Sequence, residues 1–161
     1  MDADQTKSPR AILDDDHKRI DALLTKLLAA VRADDREGAA KEWSRVEDAL
    51  LRHFDVEEMF VFPALASTHA VEVDALKREH DEMRCTLGEI GLAFDLHTAR
   101  CAPIEGLCQR LRDHAERESA LAYVEAERKL HVTAARSLLQ RLKRFASSLP
   151  LDGIVAMGDQ P

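Results

Sequence analysis

Cysteine, glycine and proline are all scarce in this chain, and each scarcity excludes something. The 161 residues contain three cysteines, Cys85, Cys101 and Cys108. Their number is odd and no two form a CxxC pair, which argues against a disulfide scaffold or a thiolate zinc site and points to the reducing cytoplasm. With six glycines and five prolines, the composition favours helices over sheet. Positive charge is in deficit: the formal net charge is -7, which argues against nucleic-acid binding. No apolar run approaches the length that spans a membrane, and "MDADQTKSPR" lacks the apolar core of a signal peptide. There is no GxGxxG and no P-loop, so no flavin or nucleotide partner and no electron donor can be read.

What the chain does contain is helical periodicity. It is 45% hydrophobic and 33% charged, long enough for one domain with a real core. Four stripes follow the alternating three-and-four spacing of a helix that faces a core. They run Leu13, His17, Ile20, Leu24, Leu27, Val31; then Trp43, Val46, Leu50, His53, Glu57, Phe60, Ala64; then Val73, Leu76, His80, Met83, Leu87, Ile90, Phe94; then Ile104, Leu107, Leu111, His114, Glu118, Leu121. The joint "ADDREG" offers Asp34 and Glu37 as a capping box, "ASTHA" offers Ser67 or Thr68 as an N-cap, and Pro103 suits a first helical turn. Short joints imply antiparallel neighbours. The expected fold is all-α, an up-down-up-down antiparallel four-helix bundle over residues 12–149. An additional C-terminal helix is expected at about 133–149, with flexible tails at 1–11 and 150–161.

Each stripe is interrupted by His, or by His and then Glu four residues on. In an antiparallel hairpin, residues equidistant from the joint share a level. His17 and His53 have their midpoint in "ADDREG", the His53/Glu57 pair and His80 in "ST", and His80 and His114 in "LHTARC". Three independent joints thus place His17, His53, Glu57, His80, His114 and Glu118 in one layer. An internal repeat accompanies this: His17 aligns with His80, His53 with His114, Glu57 with Glu118 and Phe62 with Tyr123. The remaining histidines, His69, His97 and His131, lie eleven or seventeen residues from the nearest histidine of the layer, which reads as joint or surface positions.

Four imidazoles and two carboxylates do not sit unpaired in an apolar core, because burying one bare carboxylate costs several kcal/mol. A metal resolves the conflict, since it needs neutral imidazole and ionised carboxylate in a dry pocket. Six ligands exceed one tetrahedral zinc site and suit two ions, with iron or manganese favoured by mixed nitrogen and oxygen donors. Arg84, near His80, has a carboxylate or solvent within its reach, and Tyr123 reads as core, with a hydrogen bond to the site as the alternative.

These residues resemble the hemerythrin-like, HHE cation-binding family. The motifs are "DH" (His17), "HFDVEE" followed by "VFPA" (His53, Glu57), "EH" (His80) and "HAERE" (His114, Glu118), over roughly residues 12–130. The resemblance implies a non-heme di-iron centre with an oxo or hydroxo bridge that binds O2 or a related small molecule. The oxygen carriers of the family have a second His in the third helix, where Leu76 and Arg84 flank His80 here, and an Asp five residues after the fourth-helix His, where Glu118 stands four after His114. Both departures resemble the iron-sensing and iron-repair branches. Three readings stay open: a protein that binds or senses O2 or handles iron, an oxidoreductase or repair factor acting on NO or peroxide, and a metal-dependent regulatory module. A homodimer or protein partner would meet the fifth helix.

Overall fold

The structure, a computed structural model, describes residues 7–130 and 132–143. Five helices account for nearly all of them, and there is no strand among the described residues. Helix α1 is Pro9–Arg32. Helix α2 is α-helical over Arg36–Val56, π-helical over Glu57–Val61 and α-helical again over Phe62–Leu65. Helix α3 is Ala70–Asp95. Helix α4 repeats the pattern of α2, with Cys101–Arg117, a π-helical Glu118–Ala122 and Tyr123–Lys129. Helix α5 is Val132–Lys143. The stretch 144–149, the distal tails and His131 lie outside the described residues.

Local chemistry sets the boundaries, and it corrects several expectations. Helix α1 starts at Pro9, inside the stretch expected as tail, because Ser8 Oγ accepts from the Ala11 N–H and Pro9 fits the first helical position. Asp35, not Asp34, caps α2, accepting from the Gly38 N–H at 3.0 Å. Asp34 instead takes a left-handed conformation, φ 53°, and closes α1; His97, φ 57°, closes α3 the same way. In each joint the following N–H reaches back five residues, Asp35 to the Ala30 carbonyl and Thr98 to that of Ala93. The position before α3 belongs to His69 and makes no side-chain cap; the Thr68 hydroxyl accepts from Lys129 Nζ.

Helix α1 packs against α2 and α4, and α3 packs against the same two, which closes the bundle; α5 lies across α1 and α2. The apolar side chains form two clusters. One holds Leu24, Leu27, Val46, Leu50, Leu87 and Leu107 toward the α1–α2 and α3–α4 joints. The other holds Leu13, Phe62, Leu65, Leu76 and Ala126, closed by Ala135, Leu138 and Leu142 of α5. Burying each large side chain contributes about 1.5–3 kcal/mol. With its apolar face against the bundle, α5 leaves Arg136 and Gln140 outward.

The π-turns correct the expected core. A π-turn holds one residue more than an α-turn and closes with a bond over five residues. Here the Phe62 N–H donates to the Glu57 carbonyl and the Tyr123 N–H to the Glu118 carbonyl. The extra residue rotates everything after it. Phe60, Ala64 and Leu121, expected inward, are only half-buried, and Val61, Phe62, Leu65, Ala122 and Tyr123 replace them. Met59 is 47% exposed, and inserting one alanine after it adds a second extra residue and turns the second apolar cluster away from its neighbours. Chemical denaturation should show a loss on the order of 3–5 kcal/mol, as for a large core truncation, whereas Met59→Ala should stay within about 0.5 kcal/mol.

Candidate metal centre

The structure brings all six predicted side chains to one level between the two apolar clusters. His53, Glu57, His80, His114 and Glu118 have essentially no exposed surface, and the His17 side chain is 16% exposed. Their donor atoms fall into two groups, each able to hold a metal ion: His17, His53, Glu57 and Glu118, and His80, His114, Glu57 and Glu118. Within each group the atoms lie within 4.8 Å of one another, and both carboxylates belong to both groups. His17 Nε2 stands 2.9 Å from His53 Nε2, and His80 Nε2 stands 3.0 Å from His114 Nε2. Two nitrogens each about 2.1 Å from one ion, at right angles, would stand about 3 Å apart.

The hydrogen bonding of the rings fits a cation. His53 Nδ1 bonds Asp16 Oδ2 at 2.9 Å, His80 Nδ1 bonds Glu58 Oε1 at 2.8 Å, and His114 Nδ1 bonds Glu79 Oε2 at 2.6 Å. A carboxylate at Nδ1 fixes the proton there, and the Nε2 lone pair then faces the layer. Glu57 Oε2 and Glu118 Oε1 are buried and make no hydrogen bond, although imidazole nitrogens lie 3.3 Å and 2.9 Å away. Orphaned carboxylate oxygens facing nitrogen lone pairs are what a shared cation would satisfy.

The comparisons with known proteins agree. The family model described as the hemerythrin HHE cation binding domain matches residues 8–126. The chain belongs to the hemerythrin HHE cation-binding family. Neither a curated protein nor a solved structure matches it.

Within this hemerythrin-family bundle, the supporting carboxylates were not found by periodicity. Asp16 and Glu79 each precede a predicted histidine, yet each serves the histidine of the neighbouring helix. The signal was present: a residue one place along a helix is turned about 100°, toward the adjacent helix. Arginines back all three carboxylates: Arg19 lies 2.7 Å from Asp16, Arg84 2.7 Å from Glu58 and Arg117 2.8 Å from Glu79. Arg84 therefore spends its charge on a carboxylate that orients His80. His17 is the exception, since no carboxylate among the described residues bonds its Nδ1; Ser119, which follows Glu118 as Glu58 follows Glu57, bonds Asp14 instead. Tyr123, read as core, is in the site: its hydroxyl donates to Glu57 Oε1 at 2.5 Å and lies 3.1 Å from His17 Nε2. The π-turn at Glu118 brings it there. His69 and His97 stand at helix ends, away from the layer.

Without metal, protons take the cation's place. Burial pushes His53 down, but Glu57 and the Asp16 bond outweigh it and hold the imidazole well above its usual pKa. Burial likewise opposes His80, which Glu118 and Glu57 raise to about 9. Burial raises Glu118, and His114, His17 and His80 overcome it and hold the carboxyl well below the ordinary range. A raised imidazole stabilises the fold fully below its unfolded value of 6.5, and that contribution is lost as pH climbs through about 9. A depressed carboxyl contributes above its unfolded value of 4.5 and loses that contribution as pH falls. The chelated protein should therefore melt highest between about pH 4.5 and 6.5 and progressively lower toward pH 9, measured by circular dichroism.

Proposed function

We propose that this chain is a non-heme di-iron protein that binds or senses O2 or a related small molecule such as NO or peroxide, or handles iron. The single observation that carries the reading is the sharing of Glu57 and Glu118 by both donor groups. Two carboxylates common to two pairs of imidazoles would serve two ions at once, a sharing that one isolated ion would not need. His17 and His53 would hold one ion and His80 and His114 the other. Iron fits the mixed nitrogen and oxygen donors, and manganese fits the same set. When bound, a reduced iron pair supplies electrons and open coordination positions for a small ligand.

The rest of the chain supports a small ligand. Each group offers two imidazoles and two carboxylates, fewer than an octahedral ion accepts. Leu76 and Arg84, four residues either side of His80, add nothing to the set: Leu76 lies in the second apolar cluster and Arg84 on Glu58. Around His80 the walls are aromatic, with Phe54 and Phe62 stacked at 4.3 and 5.2 Å between ring centres. Such walls are apolar and favour an uncharged small ligand over a charged one.

Metal analysis with an optical spectrum, on protein purified without added metal and read before and after O2, tests this. About two irons per chain with near-ultraviolet oxo-bridge bands are expected, from the shared donor sets. A reversible O2 band would mark a binder, and steady turnover of NO or peroxide an oxidoreductase. Protein that holds neither iron nor manganese, with His53→Ala unchanged in folding and metal content, would end the di-metal reading. Asp16→Asn should weaken metal binding about 10–100-fold by freeing the His53 ring, and acidification should release the metal as the imidazoles take up protons.

A further inference from the structure

We propose that Tyr123 is a further metal ligand, its phenolic oxygen a fifth protein donor at the His17–His53 position that leaves the His80–His114 position the more open of the two. This rests on the two-ion reading above. The donors His17 Nε2, His53 Nε2, Glu57 Oε1 and Glu118 Oε2 surround one space, with neighbouring pairs 2.9, 3.3 and 3.4 Å apart. The Tyr123 oxygen stands 3.1 Å from His17 Nε2, 2.5 Å from Glu57 Oε1 and 3.3 Å from Glu118 Oε2. The 3.1 and 3.3 Å separations are those of donors that share one ion, about 3 Å for bonds near 2.1 Å at right angles, and the 2.5 Å contact is the hydrogen bond to Glu57 whose proton a metal would displace. The oxygen touches three members of this set and belongs to no other.

The internal repeat sharpens the point. Tyr123 and Phe62 are counterparts, each five residues after a shared glutamate and each swung inward by a π-turn. Tyr123 stacks on His17 at 5.4 Å and 25°, and Phe62 stacks on His80 at 5.2 Å and 30°. The rings do the same packing on both sides. One oxygen atom breaks the two-fold symmetry, and it does so only at the His17–His53 position. On binding a ferric ion the phenol O–H bond breaks, the iron–oxygen bond forms and the proton leaves to solvent past His17, the one predicted ligand with clear exposure. No oxidant or reductant enters the step. The ion nearer solvent then has five protein donors against four at the other, and a small ligand is favoured at the buried position beneath Phe54 and Phe62.

Tyr123 is the sole tyrosine of the chain, so a tyrosinate signal has one source. The full chain is loaded with ferric iron, its metal content is measured, and visible absorption and resonance Raman spectra are recorded. A visible phenolate-to-iron charge-transfer band with enhanced tyrosine ring vibrations is expected, and Tyr123→Phe should keep both irons and lose both signals. Wild-type protein with two irons and no such band would overturn the proposal and leave Tyr123 a hydrogen-bond donor to Glu57. Should Tyr123→Phe fail to fold, ring-deuterated tyrosine in the wild-type chain decides alone, since its enhanced vibrations must shift. Protein that takes up no iron overturns the two-ion reading and this proposal together, and the metal content separates that failure from the first.

Discussion

Glu57 and Glu118 lie side by side in a helical core, neither with any exposed surface. Each is repelled by the other and stripped of water, and a bundle of apolar stripes has no means of its own to hold them. Everything around them answers that constraint. Four imidazoles face the pair. Three of those rings are held from behind by Asp16, Glu58 and Glu79, and each of these carboxylates is met at the surface by an arginine. Charge alternates from the centre outward, so no group in the series is buried against its own sign alone. Removing a link exposes the next to an uncompensated neighbour, which is why the network is worth more than its separate contacts.

The helices bend their own rules to deliver those two glutamates. His and Glu four apart stand on one face, and a regular helix would carry Phe60, Ala64 and Leu121 inward after them. Each π-turn begins at the glutamate carbonyl and inserts one residue, which puts Val61, Phe62, Leu65, Ala122 and Tyr123 on the core face instead. The same rotation brings Phe62 and Tyr123 against His80 and His17. The placement of the aromatic rings against the layer and the packing of the core are thus solved by one irregularity, used twice.

The six-residue layer was legible because its evidence is redundant. Stripe phase, three joint midpoints and an internal repeat all depend on regular helix geometry, and all gave one level. Helix order was legible for the same reason. What escaped was whatever departs from regularity. A straight 3.6-residue period assigns Phe60, Ala64 and Leu121 inward, and nothing in the side chains of "EEMFV" or "ESALA" announces an extra residue. Asp34 was read as a cap because its chemistry suits one, but the backbone uses it as a left-handed stop and passes the cap to Asp35. Ser8 followed by Pro9 was a readable start signal lost in an acidic tail. The supporting carboxylates escaped because they act across helices, where one-helix periodicity is blind.

The layer also divides the apolar interior. Most cores run unbroken from end to end; this one is two compartments, one toward the α1–α2 and α3–α4 joints and one under α5, with a polar partition between them. Neither compartment alone buries the apolar surface a domain of this length relies on. The partition is therefore their common wall, and the packing of one end reaches the other through His, Glu and aromatic rings rather than through a continuous run of leucine. A change in charge at that wall is felt at both ends of the bundle at once.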